Sequence, residues 1–310
     1  MTTLLYTHSA CLEHDPGQHH PESPARLRAV LQALDGPDFL RLDRREAPEA
    51  ELDDIARVHP RRFVERLLES VPRSGHVGID ADTIMSPGSG EAALRAAGAV
   101  AAADDAVVAG EADNAFCAVR PPGHHAEPGR AMGFCLFNNA AIGALRAREV
   151  HRLERVAVID FDVHHGNGTQ ACFWDDPGLF YASTHQSPLY PGTGGRGETG
   201  AAGNIVNVPL RPMSGSHEFR SGVTRDILPA LDAFRPELLL ISAGFDAHRS
   251  DPLAQLMLDE SDYVWVTEQL LETARQHAGG RVVSTLEGGY DLPALGASAA
   301  AHVRTLLAAA

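Results

Sequence analysis

The chain has 310 residues, with 26 Lys and Arg against 41 Asp and Glu, a formal net charge of −15. That balance disfavours nonspecific binding to nucleic acid or anionic membrane, which needs basic surface, so neither is an expected partner. Hydrophobic residues make up 44%, enough for a large core, yet no apolar run approaches the roughly 20 residues of a membrane helix.

The first residues, Met1-Thr2-Thr3-Leu4-Leu5-Tyr6, carry neither a basic nor a long apolar region, so no secretory signal is expected. Residues 91–109 are Ala-rich and free of Pro, and read as a helix that stops at Gly110. Residues 115–120 form an apolar run that stops at Pro121-Pro122-Gly123-His124-His125. Residues 138–148 repeat Ala, Ile and Leu at helical spacing. The run from Val156 ends in Asp160-Phe161-Asp162-Val163-His164-His165-Gly166-Asn167. Three more apolar runs obey the same rule. Residues 179–182 lead into Ser183-Thr184-His185, residues 238–243 into Gly244-Phe245-Asp246, and residues 282–286 into Glu287-Gly288-Gly289-Tyr290. Residues 261–277 and 297–310 read as helices. The Pro- and Gly-rich stretch 188–203 lies between sheet elements and reads as a long loop.

Continuous apolar runs suit strands buried on both faces, as in parallel sheets. Strands alternating with helices argue for an α/β fold with helices on both faces. Ligand sites of such sheets lie beyond the carboxyl ends of the strands. Five runs that each end in His, Asp or Tyr therefore point to one pocket. No linker, charge block or repeat divides residues 1–310, which read as a single catalytic domain.

Asp160, Asp162 and His164 share one side of the extended strand from Val156, because side chains alternate with period two. Carboxylate and imidazole are ordinary zinc ligands, and three protein ligands with one open position is a catalytic arrangement. His124 and His125, presented by a kinked loop, suit a general base and an electrostatic partner beside a metal. Tyr290, after two glycines, can donate a hydrogen bond to a developing oxyanion. His8, His14, His19, His59, His76 and His151 read as surface-loop histidines. Gly192-Thr193-Gly194-Gly195-Arg196-Gly197 matches a dinucleotide fingerprint in letters only, since no strand–turn–helix context surrounds it. Cys11, Cys117, Cys135 and Cys172 form no Cys-x-x-Cys pair, which suits a reducing cytoplasm.

Arg120-Pro-Pro-Gly-His-His, Gly133-Phe134-Cys135-Leu136-Phe137-Asn138-Asn139, the 160–169 segment, Ser242-Ala-Gly-Phe-Asp246 and Glu287-Gly-Gly-Tyr290 occur together in that order. With them, the chain resembles the histone deacetylase-like amidohydrolases related to class II histone deacetylases. The resemblance starts near His20-Pro21-Glu22 and extends past Tyr290. It implies an arginase/deacetylase fold around a parallel sheet of about eight strands. It further implies zinc held by Asp162, His164 and Asp246, and His125 as base and later acid. His124 is the second, electrostatic histidine, with Asp160 orienting it and Asn167 behind His125. Tyr290 polarises the acyl carbonyl. Phe134 and Tyr190 wall the acyl-lysine channel beside Gly133 and Gly289, with Tyr190 in place of the usual Phe. Leu253 sits at the mouth, where polyamine-selective relatives carry Glu. A potassium ion is also expected, held by Asp160, Asp162, His164, Ser183 and Thr184. The implied substrate is an acylated amine, an acetyl-lysine peptide ahead of an acetylpolyamine, and a homo-oligomer is compatible with the family. A dinuclear manganese ureohydrolase and an inactive acyl-lysine-binding module are the other readings. Asn167 and the paired histidines speak against the first, and intact His124, His125 and Tyr290 against the second.

Overall fold

An apolar run cannot leave one face in water, and each of the five runs becomes a strand with every residue buried. The computed structural model describes residues 2–310. In chain order its strands are β1 (Thr3–Thr7), β2 (Asp43–Glu46), β3 (Val77–Gly78), β4 (Ile84–Met85), β5 (Asn114–Cys117), β6 (Val156–Asp160), β7 (Leu179–Gln186), β8 (Ile205–Leu210), β9 (Leu238–Ala243) and β10 (Val282–Leu286). β3 and β4 form a small antiparallel ribbon, and the other eight make one parallel sheet ordered β2-β1-β5-β10-β9-β6-β7-β8. The five runs that end in candidate site residues are thus adjacent, β5-β10-β9-β6-β7, and their carboxyl ends open at one place.

The helices are α1 (Pro24–Ala33), α2 (Leu52–Ile55), α3 (Arg61–Glu69), α4 (Ser89–Val108), α5 (Asn139–His151), α6 (Asn167–Phe173), α7 (Ser216–Gly222), α8 (Leu228–Phe234), α9 (Glu260–His277) and α10 (Leu292–Ala309). α4 packs on α5, while α10 packs on both α1 and α9. Consecutive strand residues face opposite ways. Phe116 meets His302 of α10, ring centroids 5.7 Å apart, and the next residue, Cys117, lies near Asp104 of α4.

Several boundaries differ from the sequence reading. β5 stops at Cys117 rather than Arg120, because Pro121 and Pro122 have no N–H for a ladder and Arg120 turns inward to Glu22. α10 begins at Leu292 rather than at 297. The Asp291 carboxylate accepts the Ala294 N–H at 3.0 Å, and Pro293 suits a first helical turn. β1 and β2 were not foreseen. β2 reads Asp-Arg-Arg-Glu, with no apolar signal, and is an edge strand held by its register against β1.

A buried carboxyl group lies away from the site. Asp104 is fully buried and neither carboxylate oxygen has a hydrogen-bond partner among the described residues. Burial, with Asp105 nearby, pushes its pKa well above the ordinary 3.8, and Arg146 only partly opposes this. The folded chain therefore holds a proton that the unfolded chain releases, so stability falls as pH rises from about 4 toward the raised value. Asp104→Asn should leave the melting temperature at pH 4 nearly unchanged. At pH 8 it should raise it, at about 1–2 °C per kcal/mol. A lower melting temperature at pH 8 would mean that the carboxylate has a stabilising partner.

Candidate active site

After β5 the chain turns through Pro121-Pro122-Gly123, and a side chain at Gly123 would press its Cβ to 2.5 Å from the Asn139 nitrogen. Glu287, at the end of neighbouring β10, accepts the N–H groups of Gly123 and His124 at 2.7 and 3.2 Å. It also accepts the Ser242 hydroxyl from the end of β9 at 3.1 Å. One buried carboxylate thus ties three strand ends together. His124 and His125 emerge side by side, ring centroids 4.0 Å apart and both buried.

The two imidazoles have different surroundings. His124 Nδ1 lies 2.9 Å from Asp160 Oδ2. Burial works against charge on His124, but Asp160 and Asp162 outweigh it and raise its pKa well above 6.5. His125 Nδ1 lies 2.8 Å from Asn167 Oδ1, and Asn167 Nδ2 donates to Glu127 at 2.9 Å. An amide oxygen only accepts, so His125 carries its proton on Nδ1 and leaves Nε2 with a free lone pair. Burial, then neighbouring His124 and His164, push its pKa well below 6.5. One ring favours charge and the other favours neutrality, the division that acid–base work beside a carbonyl requires.

Asp162 and His164 reach the site differently from the sequence expectation. β6 ends at Asp160, and the three side chains do not share a strand face. Asp160 Oδ1 accepts the Asp162 N–H at 3.1 Å, and Asp162 Oδ1 accepts the His164 N–H at 2.9 Å. These side-chain-to-backbone bonds make two successive Asx-type turns, which outcompete the ladder. Asp246, after β9, accepts the Val163 N–H at 2.8 Å, and Gly288 N–H donates to Asp162 at 2.8 Å. His164 Nδ1 stands 3.2 Å from Asp162 Oδ1 and 3.1 Å from Asp246 Oδ2. One ligand atom from each of the three residues falls within 4.8 Å of the others. Glycine is required on both flanks: a Cβ at Gly244 would lie 2.1 Å from Asp162 Oδ2, and one at Gly288 would lie 2.1 Å from Asp246 Oδ2. Burial and the adjacent Asp162 charge push Asp246 up to about 7. Two buried carboxylates aimed at one imidazole nitrogen suit a divalent cation, which neutralises both.

A cavity of about 220 Å³ leads to this cluster, lined by Asp82, His125, Gly133, Phe134, His164, Leu189, Tyr190, Leu253 and Tyr290. Tyr190 stands edge-on to His125, with centroids 5.1 Å apart, and Phe134 edge-on to Tyr290 at 6.0 Å. Gly133, at φ 58°, lies flat on His125, where a Cβ would come within 2.5 Å of the ring. Gly289, at φ 125°, turns the chain into Tyr290. Arg26 is fully buried, donates to the carbonyls of Gly289 (2.5 Å) and Glu287, and stacks over the Tyr290 ring at 4.8 Å. Burial raises the Tyr290 phenol well above 10, with Arg26 only partly opposing, so the hydroxyl keeps a proton to donate. Ser183 and Thr184 lie on β7, with Ser183 paired in register with Asp160 and its hydroxyl 2.9 Å from His185 Nδ1.

Every predicted site residue therefore falls at the carboxyl end of β5, β6, β7, β9 or β10 or in the loops beside them. Residues the sequence reading did not assign are Asp82 and Leu189 of the cavity wall, Arg26, Glu287 and Tyr181. Glu287 opens the Glu287-Gly-Gly-Tyr290 motif, whereas lone Asp82, Leu189 and Tyr181 carry no sequence signal. Two supposed surface histidines are buried instead. His14 Nδ1 bonds the Ser89 hydroxyl at 2.7 Å. His59 spans the Pro128 carbonyl at 3.1 Å and the Asn138 N–H at 2.9 Å, and burial lowers its pKa to about 4. Each has packed polar partners that a single sequence cannot reveal. The Gly192–Gly197 glycines form a loop between β7 and β8, as expected.

The family model for the histone deacetylase domain matches residues 20–306. A histone deacetylase-like amidohydrolase of Pseudomonas aeruginosa is 40% identical over 310 residues, covering 93% of this chain and 81% of that protein. Histone deacetylase 14, chloroplastic, of Arabidopsis thaliana is 39% identical over 330 residues, covering 98% and 76%. The solved HDA15 HD domain superposes with a TM-score of 0.93 at 35% identity, covering 99% of this chain and 88% of that one. Fold and site define a hydrolase of the arginase/deacetylase type. The chain belongs to the histone deacetylase family.

Proposed function

We propose that the protein is a zinc-dependent deacetylase that removes acetyl or other short acyl groups from the ε-amine of acyl-lysine. The observation that carries this reading is the meeting of the Asp162–His164–Asp246 cluster, the unequal histidine pair and Tyr290 at the end of one narrow cavity. Asp162, His164 and Asp246 would hold the zinc, which when bound supplies Lewis acidity toward a water and the substrate carbonyl. His125 takes the proton of the attacking water on Nε2 and returns it to the departing amine. His124, held by Asp160, supplies positive charge beside the developing negative charge. Tyr290 donates its hydroxyl proton in a hydrogen bond to the carbonyl oxygen. Acetate and a free amine leave. Phe134 and Tyr190 enclose the aliphatic stem and exclude water.

A potassium ion belongs to the same reading, held by Asp160, the backbone carbonyls of Asp162 and His164, and Ser183 with Thr184; the pairing of Asp160 with Ser183 supports it. Four free cysteines fit a cytoplasmic location. No helix among the described residues is long and apolar enough to cross a membrane. A dinuclear manganese centre finds less support, because among the described residues the cluster offers three ligands and Asn167 stands where a further carboxylate would be wanted.

The specific substrate rests on Leu253, which lines the cavity. A desolvated ammonium without a partner is costly there, whereas an apolar stem is not. Acetyl-lysine peptides should therefore exceed acetylspermidine and acetylputrescine in kcat/KM, and Leu253→Glu should move the ratio toward the polyamines. Measuring both ratios decides it. If the unmutated enzyme already prefers acetylpolyamines, acetylpolyamine amidohydrolase is the better reading.

A further inference from the structure

Tyr181 lies in mid-β7, fully buried, and no step above uses it. Its hydroxyl is 3.0 Å from Asp160 Oδ2 and 3.0 Å from the backbone nitrogen of Gly166. A backbone N–H can only donate, so the hydroxyl accepts from Gly166 and gives its one proton to Asp160. Asp160 Oδ2 is the same oxygen that faces His124 Nδ1 at 2.9 Å. Gly166 directly precedes Asn167, the first residue of α6, whose side-chain oxygen holds His125 Nδ1 at 2.8 Å. A single hydroxyl thus stands where the support of each imidazole begins.

The packing leaves little freedom at this junction. A Cβ on Gly166 would lie 2.4 Å from Asp160 Oδ2, 2.6 Å from the Tyr181 oxygen and 3.1 Å from His124 Nδ1. With the Gly166 N–H donating to its oxygen, the phenol has one proton to place, and Asp160 is the acceptor it faces. By sharing that oxygen it limits how strongly Asp160 draws the His124 proton. By accepting from Gly166 it sets the turn from which Asn167 aims His125.

We propose that Tyr181 is a positioning residue that couples the supports of His124 and His125 through its hydroxyl. The competing explanation is that Tyr181 is only a packed core ring, with the His165 ring 6.0 Å away. Phe would serve that purpose equally well.

The proposal rests on the deacetylase reading for its kinetic test, and a second readout is independent of activity. Tyr181→Phe keeps the ring and removes the hydroxyl. Its kcat on an acetyl-lysine peptide should fall about 10- to 100-fold, the loss expected for one hydrogen bond to a charged group. KM and zinc per chain should hold, and the melting temperature should fall by only a few degrees as the Gly166 N–H loses its acceptor. Combining it with Asn167→Ala should cost less than the product of the single losses, because both act through His125. In ¹⁵N-histidine-labelled protein, the ring nitrogens of His124 and His125 should shift in Tyr181→Phe while those of His277, paired with Asp232 at the end of α9, stay put. Unchanged kcat with unchanged His124 and His125 signals overturns the proposal. So does a kcat loss that tracks equal losses of zinc and melting temperature. If the unmutated protein turns over no acylated amine yet the two histidine signals shift, the coupling stands and the deacetylase reading is what has failed.

Discussion

Tyr290→Phe is expected to lower turnover by about 10²–10³-fold, the usual loss for one oxyanion donor, with zinc content unchanged. The ring is anchored without help from the hydroxyl. Arg26 covers its face at 4.8 Å, Asp251 accepts the Tyr290 N–H at 2.7 Å, and Gly289 fixes the turn at φ 125°. Removing the oxygen should therefore remove the hydrogen bond and little else, so the loss should fall on kcat rather than on folding. Steady-state kinetics with elemental analysis of the same samples checks this. Near-normal turnover would mean that another group polarises the carbonyl. His125→Ala should be at least as damaging, because in the proposed mechanism the same Nε2 serves as base and then as acid.

Chelation should abolish turnover, and zinc should restore it at one ion per chain. Asp246→Asn should do nearly the same without a chelator. The asparagine oxygen can still accept the Val163 N–H seen at 2.8 Å, but the proposed anionic ligand is gone, and with it the charge that would balance the cation. An ion held by the folded chain and not by the unfolded one would stabilise the fold, so chelation should also lower the melting temperature, by an amount that depends on free zinc. Elemental analysis and thermal unfolding across a zinc series measure both effects. Two ions per chain with manganese-dependent activity would sink the single-zinc reading.

Much of the site was legible because its chemistry is local in the chain. An apolar run must become a buried strand, and the polar, Gly-rich segment after it must turn. Pro121-Pro122-Gly123-His124-His125, Gly244-Phe245-Asp246 and Glu287-Gly288-Gly289-Tyr290 therefore announced themselves as strand ends carrying reactive groups. The glycines were legible as turns but not as clearances. That Gly244 and Gly288 exist to let Asp162 and Asp246 approach depends on strands 126 residues apart in sequence at the Asp162–Gly288 contact. The error at Asp162 and His164 has a similar origin. Period-two alternation describes a continuing strand, and here two aspartate side chains captured the backbone N–H groups and ended it.

Residue order alone settled which groups could carry the chemistry and that each stands beyond a buried strand, because hydrophobic patterning and turn chemistry act over a few neighbouring residues. It could not settle which strands lie side by side, or what Tyr181, Glu287, Arg26 and Asp82 touch. β10 enters between β5 and β9, and only that insertion brings Glu287 to the histidine loop and Tyr290 to the Asp162–His164–Asp246 cluster. Such contacts join segments far apart in the chain, and their geometry comes from packing the whole sheet at once rather than from any local preference.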